Sequence, residues 1–237
     1  MWTIIYLFAI LTPMKNIKIK TNIKCSLCQT PTDEFENEDI LYYHCKGCEY
    51  IFKSPIYYSD FDTQKERYNL HQNSDESDGY IAYFQRFLDF VLPFVGTSKC
   101  NNALDFGCGV SSLLSKMLTQ NGIECSYYDP IYHPNNYKNQ KYQLIVSTEV
   151  FEHLHNPDET FGELLALLDD GGYLAIQTEF HPNDIEKFKK WYYHKDPTHI
   201  VFFTPKSFEV LASLFGAKVI GDNGKNMVVI QKDYRCK

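Results

Sequence analysis

The stretch Leu104-Asp-Phe-Gly-Cys-Gly-Val-Ser-Ser112 decides the fold of this chain of 237 residues. The apolar run 103–106 predicts a strand that enters a Gly-x-Gly turn, and the apolar spacing over 111–120 predicts a helix that leaves it. A glycine turn between a strand and a helix lets a nucleotide-like cofactor lie on bare backbone. The sequence therefore predicts a cofactor-binding turn near the start of an α/β domain.

The rest of the chain repeats this alternation of strand and helix. Strands are predicted over 124–128, 142–147, 173–177, 218–221 and 227–231, and helices over 79–90 (ended by Pro93), from about Pro157 to Gly171-Gly172, over 184–191 and over 205–215. Asp222-Asn-Gly224 is typical of a hairpin between the last two strands. The predicted fold is a doubly wound α/β domain, with a mostly parallel sheet and an antiparallel C-terminal strand pair.

Two acidic residues indicate which cofactor the turn receives. Asp129 follows Gly107 by 22 residues, at the end of the next predicted strand, where an acid can bind both ribose hydroxyls. That spacing also fits a dinucleotide site, so an NAD-type oxidoreductase is one alternative. However, the carboxylate of Asp105 would repel a pyrophosphate, whereas the cationic ammonium and sulfonium of S-adenosylmethionine favour it. Ser112 also stands where a dinucleotide motif has its third glycine. The predicted cofactor is therefore S-adenosylmethionine.

These motifs resemble those of the class I S-adenosylmethionine-dependent methyltransferases over roughly residues 79–237. Leu104-Asp-Phe-Gly-Cys-Gly109 is similar to the family's first motif, Thr148-Glu-Val-Phe-Glu-His153 to its Glu-Val-x-Glu-His segment, and Leu168-Asp-Asp-Gly-Gly-Tyr-Leu174 to its turn before strand five. The resemblance implies cofactor contacts from Asp105, Gly107, Gly109, Asp129, Pro130 and Glu149. One departure is that about a dozen residues separate Pro130 from Tyr142. The family's third strand is thus shortened or missing, and with it the usual adenine-contacting acid.

Two Cys-x-x-Cys pairs predict a zinc ribbon over 21–56. Cys25-Ser-Leu-Cys28 and Cys45-Lys-Gly-Cys48 are separated by 16 residues, and each pair can present two sulfurs to one tetrahedral ion. Ribbons joined to methyltransferase domains also occur in the resembled superfamily. The remaining four cysteines are scattered, as expected of reduced thiols in a cytoplasmic protein.

The acceptor side of the predicted site centres on a polar loop, Asp196-Pro-Thr-His199. We expect His199 to face the methyl group as a general base, supported by Asp196 and His153, because neutral histidine accepts protons near pH 7. The alternative is a hydrogen-bonded structural loop. The acceptor is unknown, either a small metabolite or a modified macromolecule. A further alternative is a zinc-ribbon interaction protein whose α/β domain binds cofactor without catalysis.

Charge and hydropathy bear on other partners. With a net charge of −7 and a pI of about 5.6, the chain has no strong positive field for a nucleic-acid backbone. The apolar run 2–11 is too short to span a bilayer. Residues 1–20 are predicted to be a tail, with Met14 as an alternative start. Residues 57–78 are predicted to be a linker or lid, and residues 79–237 the methyltransferase domain.

Overall fold

The computed structural model of the chain describes residues 23–58, 78–96 and 100–234. The predicted tail 1–20, with the alternative start at Met14, lies outside these ranges, as do Cys236 and most of the predicted linker. No helix within the described ranges is long and apolar enough to cross a membrane.

Six strands form the main sheet in the order β5-β4-β6-β7-β10-β9. Their bounds are β4 Asn102–Phe106, β5 Glu124–Tyr128, β6 Tyr142–Thr148, β7 Leu168–Gln177, β9 Ala217–Asp222 and β10 Met227–Lys232. Strands β4 to β7 are parallel, and β10 runs antiparallel to both β7 and β9. The predicted fold class is confirmed, including the antiparallel strand pair at the C-terminus.

The register of the parallel strands brings their carboxyl ends to one edge. Phe106 at the end of β4 pairs with Tyr128 at the end of β5, and Thr148 at the end of β6 pairs with Gln177 at the end of β7. Loops that carry candidate functional residues leave the sheet at this carboxyl edge, which is where open α/β sheets bind ligands.

Helices cover both faces of the sheet. They are α1 Asp78–Val95, α2 Leu113–Gln120, α3 Pro157–Leu167, α4 Ile185–Phe188 and α5 Pro205–Leu214. Helices α1 and α2 pack on the face that includes Leu144, Val146 and Ala175. Helices α3 and α5 pack on the face that includes Ile145 and Ile176. Successive residues of β6 and β7 thus pack against helices on opposite faces, as in strands that are buried on both sides.

Three predicted helix boundaries are wrong. Helix α1 continues through Pro93, because Val91 and Val95 on either side are buried against the sheet and only one N–H near the helix end is lost. Helix α4 ends at Phe188 rather than near residue 191. After it, backbone hydrogen bonds join residues three apart instead of four, and Trp191 packs on the Phe188 ring.

The third wrong boundary is at Gly171-Gly172, which is predicted to end a helix and does not. Helix α3 stops at Leu167, and both glycines belong to β7. A Cβ atom on Gly172 would lie 3.0 Å from the Asp169 carbonyl oxygen and 3.2 Å from that of Gln143, so the glycine permits close approach of the neighbouring backbone.

A second sheet contains the cysteine pairs. Strands β1 Asp33–Asn37, β2 Ile40–His44 and β3 Ile51–Lys53 form an antiparallel meander, and β8 Val201–Phe202 pairs with β3 as a fourth strand. This sheet therefore takes its last strand from the region predicted to be the methyltransferase domain. The proposed boundaries of ribbon, linker and domain remain predictions.

The region of the expected third strand is short, as predicted. Between β5 and β6, all of it described, the chain forms only an isolated bridge from Asp129 to His133 and one turn of 3-10 helix, Tyr137–Asn139. Strand β5 is consequently the edge of the described sheet. The ring of Tyr137 packs on Tyr128 at 4.1 Å and on Phe106 at 5.6 Å, which closes the core below this edge.

Candidate active site at the carboxyl edge

The two glycines of the turn after β4 differ in the space around the position of a Cβ atom. Gly107 has a φ of +80°, and a Cβ atom there would lie 2.2 Å from Val150 Cγ2, so this position needs glycine for packing. Gly109 has a φ of +65°, and a Cβ atom there would meet no atom of the described residues within 4 Å. The space above Gly109 is therefore open to a ligand.

Asp129 lies at the end of β5 and holds the turn in place. Its Oδ2 accepts a hydrogen bond from the Gly109 N–H at 3.2 Å, and its Oδ1 accepts from Ile131 N–H at 2.8 Å and Tyr132 N–H at 2.9 Å. The carboxylate thus joins two loops of the carboxyl edge. Its predicted role toward ribose hydroxyls, and that of the adjacent Pro130, remain predictions.

Asp105 lies under the turn and is only 1% exposed. Burial raises the pKa of its carboxyl to about 7, and the negative charge of Asp129 adds to that rise. Among the residues that the structure describes, its Oδ2 has no hydrogen-bond partner. A buried carboxyl oxygen without a hydrogen-bond partner is stabilised by a nearby cation.

Two glutamates that follow β6 meet one tyrosine from α1 and one from the turn after α4. We call this group the acid–tyrosine cluster: Glu149, Glu152, Tyr83 and Tyr193. The Tyr83 hydroxyl donates to Glu149 Oε1 at 2.6 Å, and the Tyr193 hydroxyl lies 2.9 Å from Glu149 Oε2 and 2.6 Å from Glu152 Oε1. Burial, followed by the charge of Glu152, raises the pKa of Glu149 to about 7. Burial also raises the pKa of Glu152. The cluster can therefore hold or release a proton near neutral pH.

Sequence reasoning missed Tyr83 in this cluster. Its spacing along α1 indicated only an apolar stripe, and nothing local predicts that its hydroxyl reaches Glu149, 66 positions away in sequence. The backbone of Glu149 is a second feature that the sequence does not predict. Its φ is +55°, a left-handed conformation that non-glycine residues seldom adopt. Such conformations concentrate at functional sites.

The structure brings His153 and His199 together. Their ring centroids are 4.8 Å apart, and the His199 ring packs on Tyr193 at 4.1 Å. Nδ1 of His153 lies 3.0 Å from the Thr198 carbonyl oxygen, and Nδ1 of His199 lies 2.8 Å from that of Tyr193. Burial, followed by the proximity of His153, lowers the pKa of His199 to about 3, so this ring is neutral at pH 7.

Asp196 is turned toward its own loop. Its Oδ1 accepts hydrogen bonds from the backbone N–H of Thr198 at 2.9 Å and from the Thr198 hydroxyl at 2.6 Å. Its carbonyl oxygen accepts from the Lys53 ammonium at 3.2 Å. The contacts of Asp196 thus shape the loop that carries His199, while its predicted catalytic role remains a prediction.

The four ribbon cysteines converge as the spacing predicts. One sulfur from each lies within 4.8 Å of the others, with Cys25 and Cys48 3.5 Å apart and Cys28 and Cys45 3.3 Å apart. The residue after each Cys-x-x-Cys pair has a left-handed φ, 60° for Gln29 and 63° for Glu49, which closes the turn that we call the knuckle. Four thiolates around Zn²⁺ at about 2.3 Å would be separated by similar distances. The arrangement suits a closed structural zinc site.

The ribbon is tied to the loops of the carboxyl edge. His181 Nε2 donates to the Glu49 carbonyl oxygen at 2.6 Å, the Thr204 hydroxyl donates to the Glu49 carboxylate at 2.9 Å, and the Ser207 hydroxyl donates to the Cys48 carbonyl oxygen at 2.9 Å. The knuckle is therefore anchored at the start of α5 and beside the end of β7.

Structural comparison finds solved proteins with a similar fold. Magnesium protoporphyrin IX methyltransferase from Synechocystis, solved with S-adenosylhomocysteine, has a TM-score of 0.52 and 13% identity, over 72% of this chain and 95% of that one. DesVI from Streptomyces venezuelae matches with a TM-score of 0.46 and 14% identity, over 74% of this chain and 99% of that one. A putative methyltransferase from Bacillus halodurans matches with a TM-score of 0.46 and 10% identity, over 62% and 98%.

Sequence comparison gives a family but no named relative. No curated protein matches the chain. A family model described as a methyltransferase domain matches residues 77–221, which include the glycine turn, Asp129 and the acid–tyrosine cluster. Because that match covers more than half of the chain and the sheet has the corresponding fold, this chain belongs to the class I S-adenosylmethionine-dependent methyltransferase family.

Proposed function

We propose that the chain transfers a methyl group from S-adenosylmethionine to an acceptor bound over the acid–tyrosine cluster. The observation that carries the proposal is the buried carboxyl group of Asp105, in the strand that enters the glycine turn: its Oδ2 has no hydrogen-bond partner among the described residues. Within the same part of the chain, the space around the missing Cβ of Gly109 is open. A cationic ligand in that space would compensate the buried carboxyl group. The same argument disfavours an NAD-type cofactor, whose pyrophosphate would face two carboxylates, Asp105 and Asp129.

The residues available to hold the cofactor fit its parts. The backbone of Gly107 and Gly109 permits close approach, Asp105 suits the cationic end, and Asp129 with Pro130 lies where the ribose is expected. When bound, the cofactor supplies an activated methyl group on a sulfonium centre. The chain itself would then need to align an acceptor and, for a weak nucleophile, remove a proton.

Glu149 is the better proton acceptor in this proposal. A pKa of about 7 matches neutral conditions, whereas the His199 ring, with a pKa of about 3, has little basicity there. The Tyr83 and Tyr193 hydroxyls orient the Glu149 carboxylate. A base in this position suits an acceptor with a proton to lose, a hydroxyl or an amine, and disfavours a carboxylate acceptor, which the two glutamates would repel.

Zinc in the ribbon is a second part of the proposal. Three of the four cysteines are buried, and the knuckle contacts with Thr204 and Ser207 make the ribbon a support for the loops around the acceptor site. A closed four-thiolate site has a structural role and no open position for substrate. The reduced thiols that such a site requires agree with the proposed cytoplasmic location.

The test is transfer of label from methyl-labelled S-adenosylmethionine to panels of amine, hydroxyl and carboxylate acceptors, with S-adenosylhomocysteine as the unlabelled co-product. We expect product with an amine or hydroxyl panel only. Glu149→Gln should lower turnover by about 100-fold to 10,000-fold while leaving S-adenosylhomocysteine binding nearly unchanged. If His199→Ala produced the larger loss and Glu149→Gln none, the base would be His199, as the sequence alone predicts. Product with carboxylates alone would contradict the proposed acceptor class.

A further inference from the structure

Three side chains, one of them from the acid–tyrosine cluster, have the composition of a metal site. Glu152, His153 and His199 each offer a ligand atom, and these atoms lie within 4.8 Å of one another. Glu152 and His153 belong to the turn after β6, whereas His199 comes from the loop before β8. We propose that these three residues bind one divalent transition-metal ion, separate from the ribbon zinc. This inference does not depend on the proposed methyl transfer.

The hydrogen bonds of the two histidines orient them as ligands. In each ring Nδ1 faces a backbone carbonyl oxygen, that of Thr198 for His153 and that of Tyr193 for His199, so in the neutral rings the proton is assigned to Nδ1. The lone pair then lies on Nε2. Metal-binding histidines usually have this arrangement, in which the second ring nitrogen donates to a carbonyl or carboxylate and so fixes the tautomer.

Glu152 gives the second, independent indication of a ligand. Its side chain is fully buried, and its Oε2 has no hydrogen-bond partner among the described residues. Its Oε1 lies 3.7 Å from His153 Nε2, so the carboxylate faces the histidines, and the Tyr193 hydroxyl donates to the same oxygen. A buried carboxylate needs a compensating partner, and a cation between these three groups would supply one.

The donor set indicates the class of ion. Two imidazoles and one carboxylate suit Zn²⁺, Fe²⁺, Co²⁺ or Ni²⁺, whereas Mg²⁺ and Ca²⁺ prefer oxygen ligands throughout. Ligand atoms around such an ion, with bonds of about 2.1 Å, are separated by about 3.4 Å at tetrahedral angles. The distance between Glu152 Oε1 and His153 Nε2, 3.7 Å, is close to this value. Three protein ligands would leave at least one position open.

Metal binding and proton transfer are mutually exclusive roles for the two histidines. A metal would use the Nε2 lone pairs of His153 and His199, which would then be unable to accept a proton. One of the three ligands, Glu152, is itself contacted by the Tyr193 hydroxyl, which also contacts Glu149. The proposed ion is therefore close enough to the acid–tyrosine cluster to contact a ligand bound there.

The test is a titration of the full chain, with zinc retained in the ribbon, by Co²⁺. Metal analysis after desalting and the visible absorption of Co²⁺ are the readouts, since cobalt bound by nitrogen and oxygen lacks the intense sulfur charge-transfer bands of a cysteine site. We expect two metal ions per chain, one zinc and one cobalt. His199→Ala and Glu152→Gln should each weaken cobalt binding by about 100-fold or more. His155→Ala removes an exposed histidine two positions from His153 and should change nothing.

Two variants keep the test interpretable if one fails to fold, and each can be checked for retained ribbon zinc. Saturation at the ribbon zinc alone in the wild-type chain would overturn the proposal. So would a cobalt ion that binds both variants as tightly as wild type, or one whose spectrum shows sulfur ligation.

Discussion

One substitution in the glycine turn, Gly109→Ala, should weaken cofactor binding far more than it lowers the free energy of unfolding. Gly109 has a φ of +65° and open space around its missing Cβ, so Gly109→Ala introduces strain without a clash. A left-handed conformation costs an alanine about 1–2 kcal/mol, and the reduced entropy of the unfolded chain offsets about 0.4–1 kcal/mol. The net loss of stability should be about 1 kcal/mol, equivalent to a Tm decrease of about 2–4 °C for a domain of this size.

The effect on binding should be much larger, because the added methyl group would enter the space assigned to the cofactor. We expect S-adenosylhomocysteine affinity, measured by calorimetry, to fall by about 100-fold, which corresponds to about 2.7 kcal/mol. Gly224→Ala is the matched control, since Gly224 has a φ of +67° and equally open space but lies in the hairpin between β9 and β10. It should lose similar stability and no affinity. A folded Gly109→Ala protein with wild-type affinity would refute the assignment of this space.

Four other changes test neighbouring parts of the account. Gly107→Ala should be destabilised by about 2–4 kcal/mol in chemical denaturation, because its Cβ would lie 2.2 Å from Val150 Cγ2; a loss no greater than that of Gly109→Ala would contradict this packing. Asp129→Ala should lose S-adenosylhomocysteine binding and, since three backbone N–H groups lose their acceptor, also lower the Tm; unchanged affinity would remove Asp129 from the site. Cys25→Ser should release zinc and increase hydrogen exchange in residues 23–56 and around Ser207 while the chain still binds S-adenosylhomocysteine, whereas Cys100→Ser, another buried thiol, should keep its metal. Burial lowers the pKa of Lys53 from 10.5 to about 8, so between these values the unfolded chain binds more protons and wild-type stability should rise with pH relative to Lys53→Met; equal pH profiles would contradict the buried environment of the lysine.

The elements around the glycine turn could be predicted from sequence because their signals are local. An apolar strand, a Gly-x-Gly turn and an apolar helix face lie within Leu104 to Gln120, and the structure has them with small shifts of boundary. The cysteine pairs are equally local, since each knuckle is a single turn. The shortened region between Pro130 and Tyr142 was visible as a simple deficit of residues.

The features that sequence reasoning missed all depend on distant partners. Strand β8 has only two residues and exists because Val201 and Phe202 pair with β3 of the ribbon. The Tyr83 hydroxyl reaches Glu149 only because α1 lies beside the turn that carries this glutamate. Pro93 is a helix stop by local rules, yet the burial of Val95 extends the helix beyond it. In each case tertiary packing outweighs the local preference.

Calorimetry on the zinc-loaded full chain tests most directly whether the carboxyl edge binds S-adenosylmethionine and not a dinucleotide. The account predicts that S-adenosylhomocysteine binds at one site per chain, that Asp105→Asn weakens this binding because a neutral amide replaces the buried carboxyl group, and that NAD gives no binding heat. Saturable binding of NAD, with none for S-adenosylhomocysteine, would contradict it.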